Sequence, residues 1–292
     1  MTKRKAEHAL EKRTQHALDE HEMDLYLNTT ELDAAVLEAA DVEAKRSCEE
    51  DKPVERTDEV HGEQPAPAPT PELLPGMVLL KGFLLPSEQQ ELVDASRTMG
   101  LQEGGFYKPT YASGAKCRLH QMCLGRHWNV VTEQYEQVRT NHDNAPVIPL
   151  PERWKELCKR SLAAAVAVDP RVMGSCKRME PDVCVVNYYK KAGRNGMHID
   201  KDESEEAMEW GSPVVSFSIG SKADFAFAPH YPERGEGVPI VALESGDVLL
   251  FGGPSRKVVH ALTRVYPNTQ SEWLRMRSGR LNLTFREYKP TE

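Results

Sequence analysis

Gly196–Glu203 reads G-M-H-I-D-K-D-E and follows the strand-like run Val183–Tyr189. In an extended chain, residues two apart point to the same side. His198 and Asp200 therefore aim an imidazole and a carboxylate at one point, with Asp202 next along that side. One His and one carboxylate close in sequence, joined by a second His from elsewhere, make the facial triad that holds non-haem Fe(II) and leaves coordination positions open. An isolated H-x-D is more often a pair of charged loop residues, so the metal reading requires a second His and a partner site from the rest of the chain. Lys201 and Glu203 carry no role here beyond a solvated or structural one.

Working outward, the chain around this stretch is strand-rich. Val183–Tyr189, Val214–Ile219, Phe225–Ala228, Pro239–Leu243, Val248–Phe251, Lys257–His260 and Leu281–Arg286 are short, apolar and β-branched. Gly220-Ser221, Gly235, Gly246-Asp247 and Gly252-Gly253-Pro254 punctuate them. Such spacing predicts a sandwich or barrel, with a double-sheet jelly roll (a double-stranded β-helix) as the natural candidate. Between His198 and the C-terminus only His230 and His260 occur, and His230 lies in a Pro-flanked loop. His260 ends a predicted strand just after a Gly-rich turn and is the candidate third ligand.

The last strand, Arg280-Leu281-Asn282-Leu283-Thr284-Phe285-Arg286, alternates polar and apolar residues. Arg280, Asn282, Thr284 and Arg286 share one face. If that face points inward, two desolvated guanidinium groups need an anion. A dicarboxylate supplies it, because guanidinium matches carboxylate with two parallel hydrogen bonds. Asn187 and Tyr189, two apart on the strand before H-x-D, can share the same acid.

The N-terminal half is organised differently. Residues 1–50 are rich in Ala, Glu, Lys and Leu and lack Pro and Gly. They predict an exposed helical or disordered extension, and a candidate site for a protein partner. Lys3-Arg4-Lys5 is too short a basic run to assign nuclear import. Residues 51–75 form a Pro-rich linker, with Pro65, Pro67, Pro69, Pro71 and Pro75 at nearly every second position. The folded domain is expected over residues 76–292. It opens with a strand around Val78–Leu80 and Phe83–Leu85, then a helix from Pro86 with Ser87 as its cap. Residues 100–150 are irregular and rich in Tyr, Gly, Asn and Pro, and Tyr107, His120 and Trp128 are aromatic candidates to stack on a nucleobase. Trp154–Val168 predicts an amphipathic helix with Trp154, Leu157, Cys158, Leu162 and Val166 on one stripe.

Composition bounds the rest. The chain has 292 residues, 39% of them hydrophobic and 28% charged. The longest apolar run, Leu162–Val168, is too short to cross a bilayer, and no secretory signal peptide is expected at the N-terminus. No membrane partner is expected. The six cysteines form no C-x-x-C pair and are expected as reduced thiols. Residues 1–72 carry 9 basic and 19 acidic side chains, and residues 73–292 carry 28 and 26. The acidity belongs to the tail, and the near-neutral remainder neither demands nor excludes a nucleic-acid partner.

These motifs together resemble the AlkB family of Fe(II)/2-oxoglutarate dioxygenases. The resemblance rests on N-Y-Y (187–189), G-M-H-I-D-K-D-E (196–203), P-V-V-S-F-S-I-G (213–220), E-S-G-D-V-L-L-F-G-G-P-S-R (244–256), His260 and R-L-N-L-T-F-R (280–286). It covers roughly residues 76–288 and is strongest from Pro181 onward. The stretch 119–128, L-H-Q-M-C-L-G-R-H-W, is most similar to plant-type AlkB homologues. The resemblance implies an α+β, mainly β fold: a jelly-roll core at 181–288 flanked by helices, with a nucleotide-recognition lid at about 104–145. It implies that His198, Asp200 and His260 bind Fe(II). It implies a 2-oxoglutarate site at Arg280, Arg286, Asn187, Tyr189 and Asn282, with Arg286 on the distal carboxylate, and O2 as the other cosubstrate. Asp202 matches an acidic residue that helps hold the methylated base, with His120, Trp128 or Tyr107 as its stacking partner. The implied activity is oxidative demethylation of N-methylated bases such as N6-methyladenine, 1-methyladenine or 3-methylcytosine in DNA or RNA, by a monomer in the nucleus and/or the cytoplasm. The alternatives are a 2-oxoglutarate-dependent hydroxylase or demethylase of a protein or small molecule, and a non-catalytic nucleic-acid-binding scaffold, which has no need of three metal ligands.

Overall fold

The alternation in the last strand organises two antiparallel sheets. In the computed structural model, which describes Leu25 and residues 71–190 and 193–289, this strand is β12 (Arg280–Arg286). Its neighbours are β5 (Val183–Tyr189) on one side and β7 (Val214–Gly220) on the other. Leu281, Leu283 and Phe285 are fully buried on one face. β1 (Met77–Leu80), β10 (Val248–Phe251) and β2 (His120–Leu124) complete a six-stranded sheet of order β1-β10-β7-β12-β5-β2. The second sheet has order β6-β11-β8-β9, built from β6 (Asn195–His198), β8 (Ala223–Ala228), β9 (Ile240–Leu243) and β11 (Val259–Val265). A separate hairpin pairs β3 (His127–Asn129) with β4 (Gln134–Glu136). This double-sheet, mainly β architecture is the expected jelly roll.

Two helices cover the outer face of the larger sheet. α1 spans Pro86–Gly100 and α2 spans Glu152–Val168. Trp154, Leu157, Cys158 and Leu162 of α2 pack into the main core with Phe285 and Phe217, and the Trp154 and Phe285 ring centroids are 6.4 Å apart. Val166 packs at the edge of this core. A second core fills the space between the sheets, from Val214, Leu249 and Phe251 on one side and Phe227 and Val241 on the other. The polar face of β12 points into this inter-sheet space. A short third helix, α3 (Glu205–Trp210), follows the H-x-D stretch and is capped by Ser204, whose Oγ accepts from Ala207 N–H at 3.2 Å.

Several local expectations change. Phe83–Leu85 is not a strand: Gly82 turns the chain at φ +55°, and helix α1 begins at Pro86. Leu85 rather than Ser87 is the N-cap residue, and the Glu88 carboxylate accepts its backbone N–H at 3.0 Å. β11 runs to Val265, so His260 stands near its start rather than at its end. Within the supposed lid at 104–145, His120–Leu124 is a buried strand of the larger sheet. Leu25 departs from an exposed extension: it is fully buried in the main core, and its carbonyl accepts from Arg277 N–H at 2.8 Å. The other residues of the expected extension, the linker up to residue 70 and Cys48 lie outside the described residues. The five described cysteines are free thiols. Among the described residues, no helix is long and apolar enough to cross a membrane.

Candidate metal centre and its two cavities

Strand pairing sets two of the predicted ligands side by side. In the antiparallel β6–β11 pair, His198 lies opposite His260, and their ring centroids are 4.3 Å apart. Asp200 follows two residues after His198. Its Oδ1 is 3.7 Å from His198 Nε2, and its Oδ2 is 3.9 Å from His260 Nε2. One ligand atom from each residue lies within 4.8 Å of the others. Both imidazoles turn Nδ1 toward a backbone carbonyl, His198 to Gly196 at 2.8 Å and His260 to Val258 at 3.1 Å. An Nδ1–H donated there leaves Nε2 with a lone pair facing Asp200, the orientation that metal-binding histidines adopt. Two nitrogens and one carboxylate oxygen on one side suit Fe(II). The residues present therefore fit the metal.

The charge balance agrees. Burial alone would raise the Asp200 carboxyl, but Arg286, His260 and His198 outweigh it and hold the group well below the usual carboxylate range. Burial pushes the His260 imidazole down to about 4, against the pull of Asp200. A charged carboxylate and a neutral imidazole are the forms a metal requires.

An inner cavity opens beside the centre. Asn187, Tyr189, Arg280, Asn282 and Arg286 line it together with His198, Asp200 and His260. The structure thus brings together all eight side chains expected at the iron and 2-oxoglutarate sites. Arg280 is 1% exposed. Its Nη2 donates to Ser218 Oγ at 3.0 Å and its Nη1 to the Leu281 carbonyl at 3.2 Å, while Nε has no partner. Among the described residues no carboxylate lies within ion-pair distance of it, and burial pulls its guanidinium down to about 10 against the more distant charge of Asp247. Asn282 Nδ2 donates to Ser216 Oγ at 2.7 Å. A buried cation without an anion is costly, so this pocket fits a carboxylate.

Arg286 differs. Its Nη2 is 2.6 Å from Asp200 Oδ2, its Nη1 donates to Tyr135 Oη at 2.9 Å, and its Nε is 3.3 Å from Glu203 Oε1. Glu203 is buried and also meets Arg256 Nη2 at 2.5 Å, while Arg256 Nη1 donates to the Asp200 carbonyl. Glu203, Arg256 and Tyr135 therefore brace the metal carboxylate and Arg286. Sequence reading assigned none of them a site role. Glu203 was visible only as one more acid beside H-x-D, and Arg256 only as the end of a Gly-Pro turn. Tyr135 lay among irregular aromatics.

An outer cavity shares His198, Asp200, Asn187 and Arg286 and is bounded by Trp128, Gln121 and Asp202. Burial, with Glu203 nearby, lifts the Asp202 carboxyl to about 6. Of the three aromatic candidates only Trp128 reaches this cavity, its ring 5.2 Å from Tyr135. His120 points the other way and stacks on Tyr188 at 6.2 Å. Tyr107 is buried between His127 and His142 with the Arg139 guanidinium 4.4 Å over its ring. Both belong to packing, not to the cavity wall.

The chain is similar to known proteins. The family model described as the 2OG-Fe(II) oxygenase superfamily matches residues 76–286. The DNA N(6)-methyladenine demethylase ALKBH1C of Arabidopsis thaliana is 42% identical over 224 residues, covering 73% of this chain and 49% of that protein. The alpha-ketoglutarate-dependent dioxygenase AlkB homolog of Caulobacter vibrioides is 30% identical over 216 residues, 73% of this chain and 88% of its own length. The solved structure of OsALKBH1 superposes with a TM-score of 0.67 at 37% identity, covering 75% of this chain and 100% of that one. The matches to the Arabidopsis ALKBH1C and ALKBH1D proteins span about half the length of those relatives. The His-Asp-His centre, the Arg-lined cavity and these likenesses agree: the chain belongs to the AlkB-like dioxygenases of the 2OG-Fe(II) oxygenase superfamily.

Proposed function

We propose that this protein oxidatively removes N-methyl groups from nucleobases in DNA or RNA. The observation that carries the reading is the junction of the two cavities: the triad stands where an inner pocket with an unpaired buried Arg meets an outer cavity walled by Trp128 and Asp202. His198, Asp200 and His260 hold Fe(II). Arg286 is already engaged with the metal carboxylate, so it belongs with Asn187 at the metal end of 2-oxoglutarate. The distal carboxylate falls to Arg280, with Tyr189 and Asn282, which reverses the assignment drawn from resemblance. Fe(II) with 2-oxoglutarate and O2 supplies the oxidising power to hydroxylate an N-methyl group, which is lost as formaldehyde with succinate and CO2 as the other products.

The chain's own residues bind, orient and exclude water. Trp128 offers a flat face for a base, and Asp202 an acceptor for its amino group. A base stacked in a duplex cannot reach a centre at this depth, so it is flipped out or comes from a single strand. N6-methyladenine in DNA is the first candidate, because two similar plant relatives carry that activity in their names. 1-Methyladenine and 3-methylcytosine follow. We propose a location in the nucleus and/or the cytoplasm, which imaging of a tagged full chain tests. The protein is proposed to act as a monomer, with residues 1–50 as an extension that binds a protein partner and residues 51–75 as a linker.

The test is formaldehyde release and nucleoside mass spectrometry after incubating iron-loaded protein with methylated oligonucleotides, tRNA and genomic DNA. Loss of methyl groups from one of these polymers is expected. No loss from any, with 2-oxoglutarate turnover stimulated by a peptide or metabolite instead, rejects the reading.

A further inference from the structure

Gln121 of strand β2 lines the outer cavity, and none of the roles above uses it. Its backbone is pinned on both edges. Gln121 exchanges two hydrogen bonds with Tyr107, at 2.8 and 3.0 Å, and lies opposite Asn187 in the β2–β5 ladder. The residue is only 9% exposed. Its Nε2 donates to Asn187 Oδ1 at 3.3 Å, and its Oε1 is buried with no hydrogen-bond partner. A buried amide oxygen without a donor is unfavourable, so a ligand N–H that reaches it gains more than it would in water.

We propose that Gln121 is a specificity-determining residue that accepts a hydrogen bond from the exocyclic amino group of the methylated base. The proposal rests on the demethylase reading and deepens it. Gln121 and Asp202 both line the outer cavity, and each carries a side-chain oxygen that can accept a hydrogen bond. Adenine and cytosine derivatives bring amino hydrogens to such acceptors. In N6-methyladenine one N–H remains on the methylated nitrogen. 3-Methylthymine carries a carbonyl oxygen in the corresponding place and meets the Gln121 oxygen lone pair to lone pair. A site built to bond an N–H discriminates strongly against an analogue that lacks it.

The experiment compares kcat/KM for single-stranded oligonucleotides carrying 1-methyladenine, 3-methylcytosine or 3-methylthymine, in wild type, Gln121→Leu and Gln121→Glu. The 2-oxoglutarate Kd is measured for each protein in parallel. Wild type is expected to prefer the amino-bearing bases. Gln121→Leu should shrink that preference by about tenfold or more with the 2-oxoglutarate Kd unmoved. Gln121→Glu keeps an acceptor and should retain the preference. An unchanged ratio in Gln121→Leu overturns the proposal. So does a loss confined to 2-oxoglutarate affinity, which would mean that Gln121 acts only through Asn187. A wild-type preference for 3-methylthymine also overturns it, because the amide then presents its NH2. If wild type turns over 2-oxoglutarate but demethylates no oligonucleotide, the demethylase reading itself fails and this proposal falls with it. Demethylation with an unmoved ratio removes Gln121 alone.

Discussion

At the scale of single residues, two buried ionisable groups make opposite demands. Arg280 carries a desolvated charge that no carboxylate pairs with among the described residues, and its Nε has no hydrogen-bond partner there. Arg280→Met should weaken 2-oxoglutarate binding by about 100-fold or more, the loss of a charge-assisted bidentate contact, measured by calorimetry. The same substitution should leave the ligand-free protein as stable or more so in a thermal melt, because removing an unpaired buried charge relieves its desolvation cost. Glu287 is 4% exposed, with Oε2 unpartnered. Burial, then Asp182 and Glu180, raise its carboxyl from 4.5 to about 7. The folded state therefore holds a proton that the unfolded chain has lost. This stabilising contribution is fully present below pH 4.5 and fades as the pH rises through about 7. Glu287→Gln should remove that fall and raise stability above pH 7 by about 1–2 kcal/mol, read from denaturant melts across pH. The metal ligands were legible in the sequence because His198 and Asp200 are local and period-two geometry joins them. Glu203 and Arg256 were not, since nothing in either neighbourhood signals a pair 53 residues apart.

At the scale of elements, legibility depended on whether a strand has two distinct faces. β12 alternates apolar core residues with pocket residues, so the sequence alone shows that Arg280 and Arg286 share one face, though not which end of the acid each one holds. β2 has no exposed residue: all five are buried, one face on the main core and the other on the cavity and a satellite cluster. Without a polar face to set the phase, the sequence offers His120 as one of three stacking candidates, whereas Gln121, one position on, is the β2 residue that lines the cavity. The start of α1 shows a similar displacement. Glu88 accepts the Leu85 N–H and also takes Arg160 Nη1 and Nη2 at 2.5 and 2.7 Å, tying the first turn of α1 to α2. Burial alone would raise its carboxyl pKa, but the Arg160 bonds, the Leu85 N–H and the charges of Arg160 and Arg153 together lower it. Glu88→Ala should therefore cost about 2–3 kcal/mol, and Ser87→Ala distinctly less, in equilibrium unfolding.

At the scale of the whole molecule, the two-sheet architecture follows from turn spacing and strand composition, and both were visible in the sequence. The domain boundary was less so. A Pro-rich run at 51–75 suggested a clean separation, yet Leu25 lies before it and is buried in the main core against the domain. One leucine in a helical-looking polar segment gives no sign that it docks at long range. Leu25→Ala should destabilise the full chain by about 2–4 kcal/mol, the cost of a core cavity. A melt within 0.5 kcal/mol of wild type would mean that this contact adds little.

The pairing of His198 with His260 has a mechanical consequence. Among the described residues β6 is an outermost strand, held to its sheet by β11 alone, with a register shift beside His260. An ion gripped by one side chain from each strand, and by Asp200 just beyond, acts as a clasp that fastens this loose margin. Occupancy of the centre should then be recorded in the backbone. Amide hydrogen exchange over Asn195–His198 should slow on adding Mn(II), an inert stand-in for iron, and should not slow in His260→Ala.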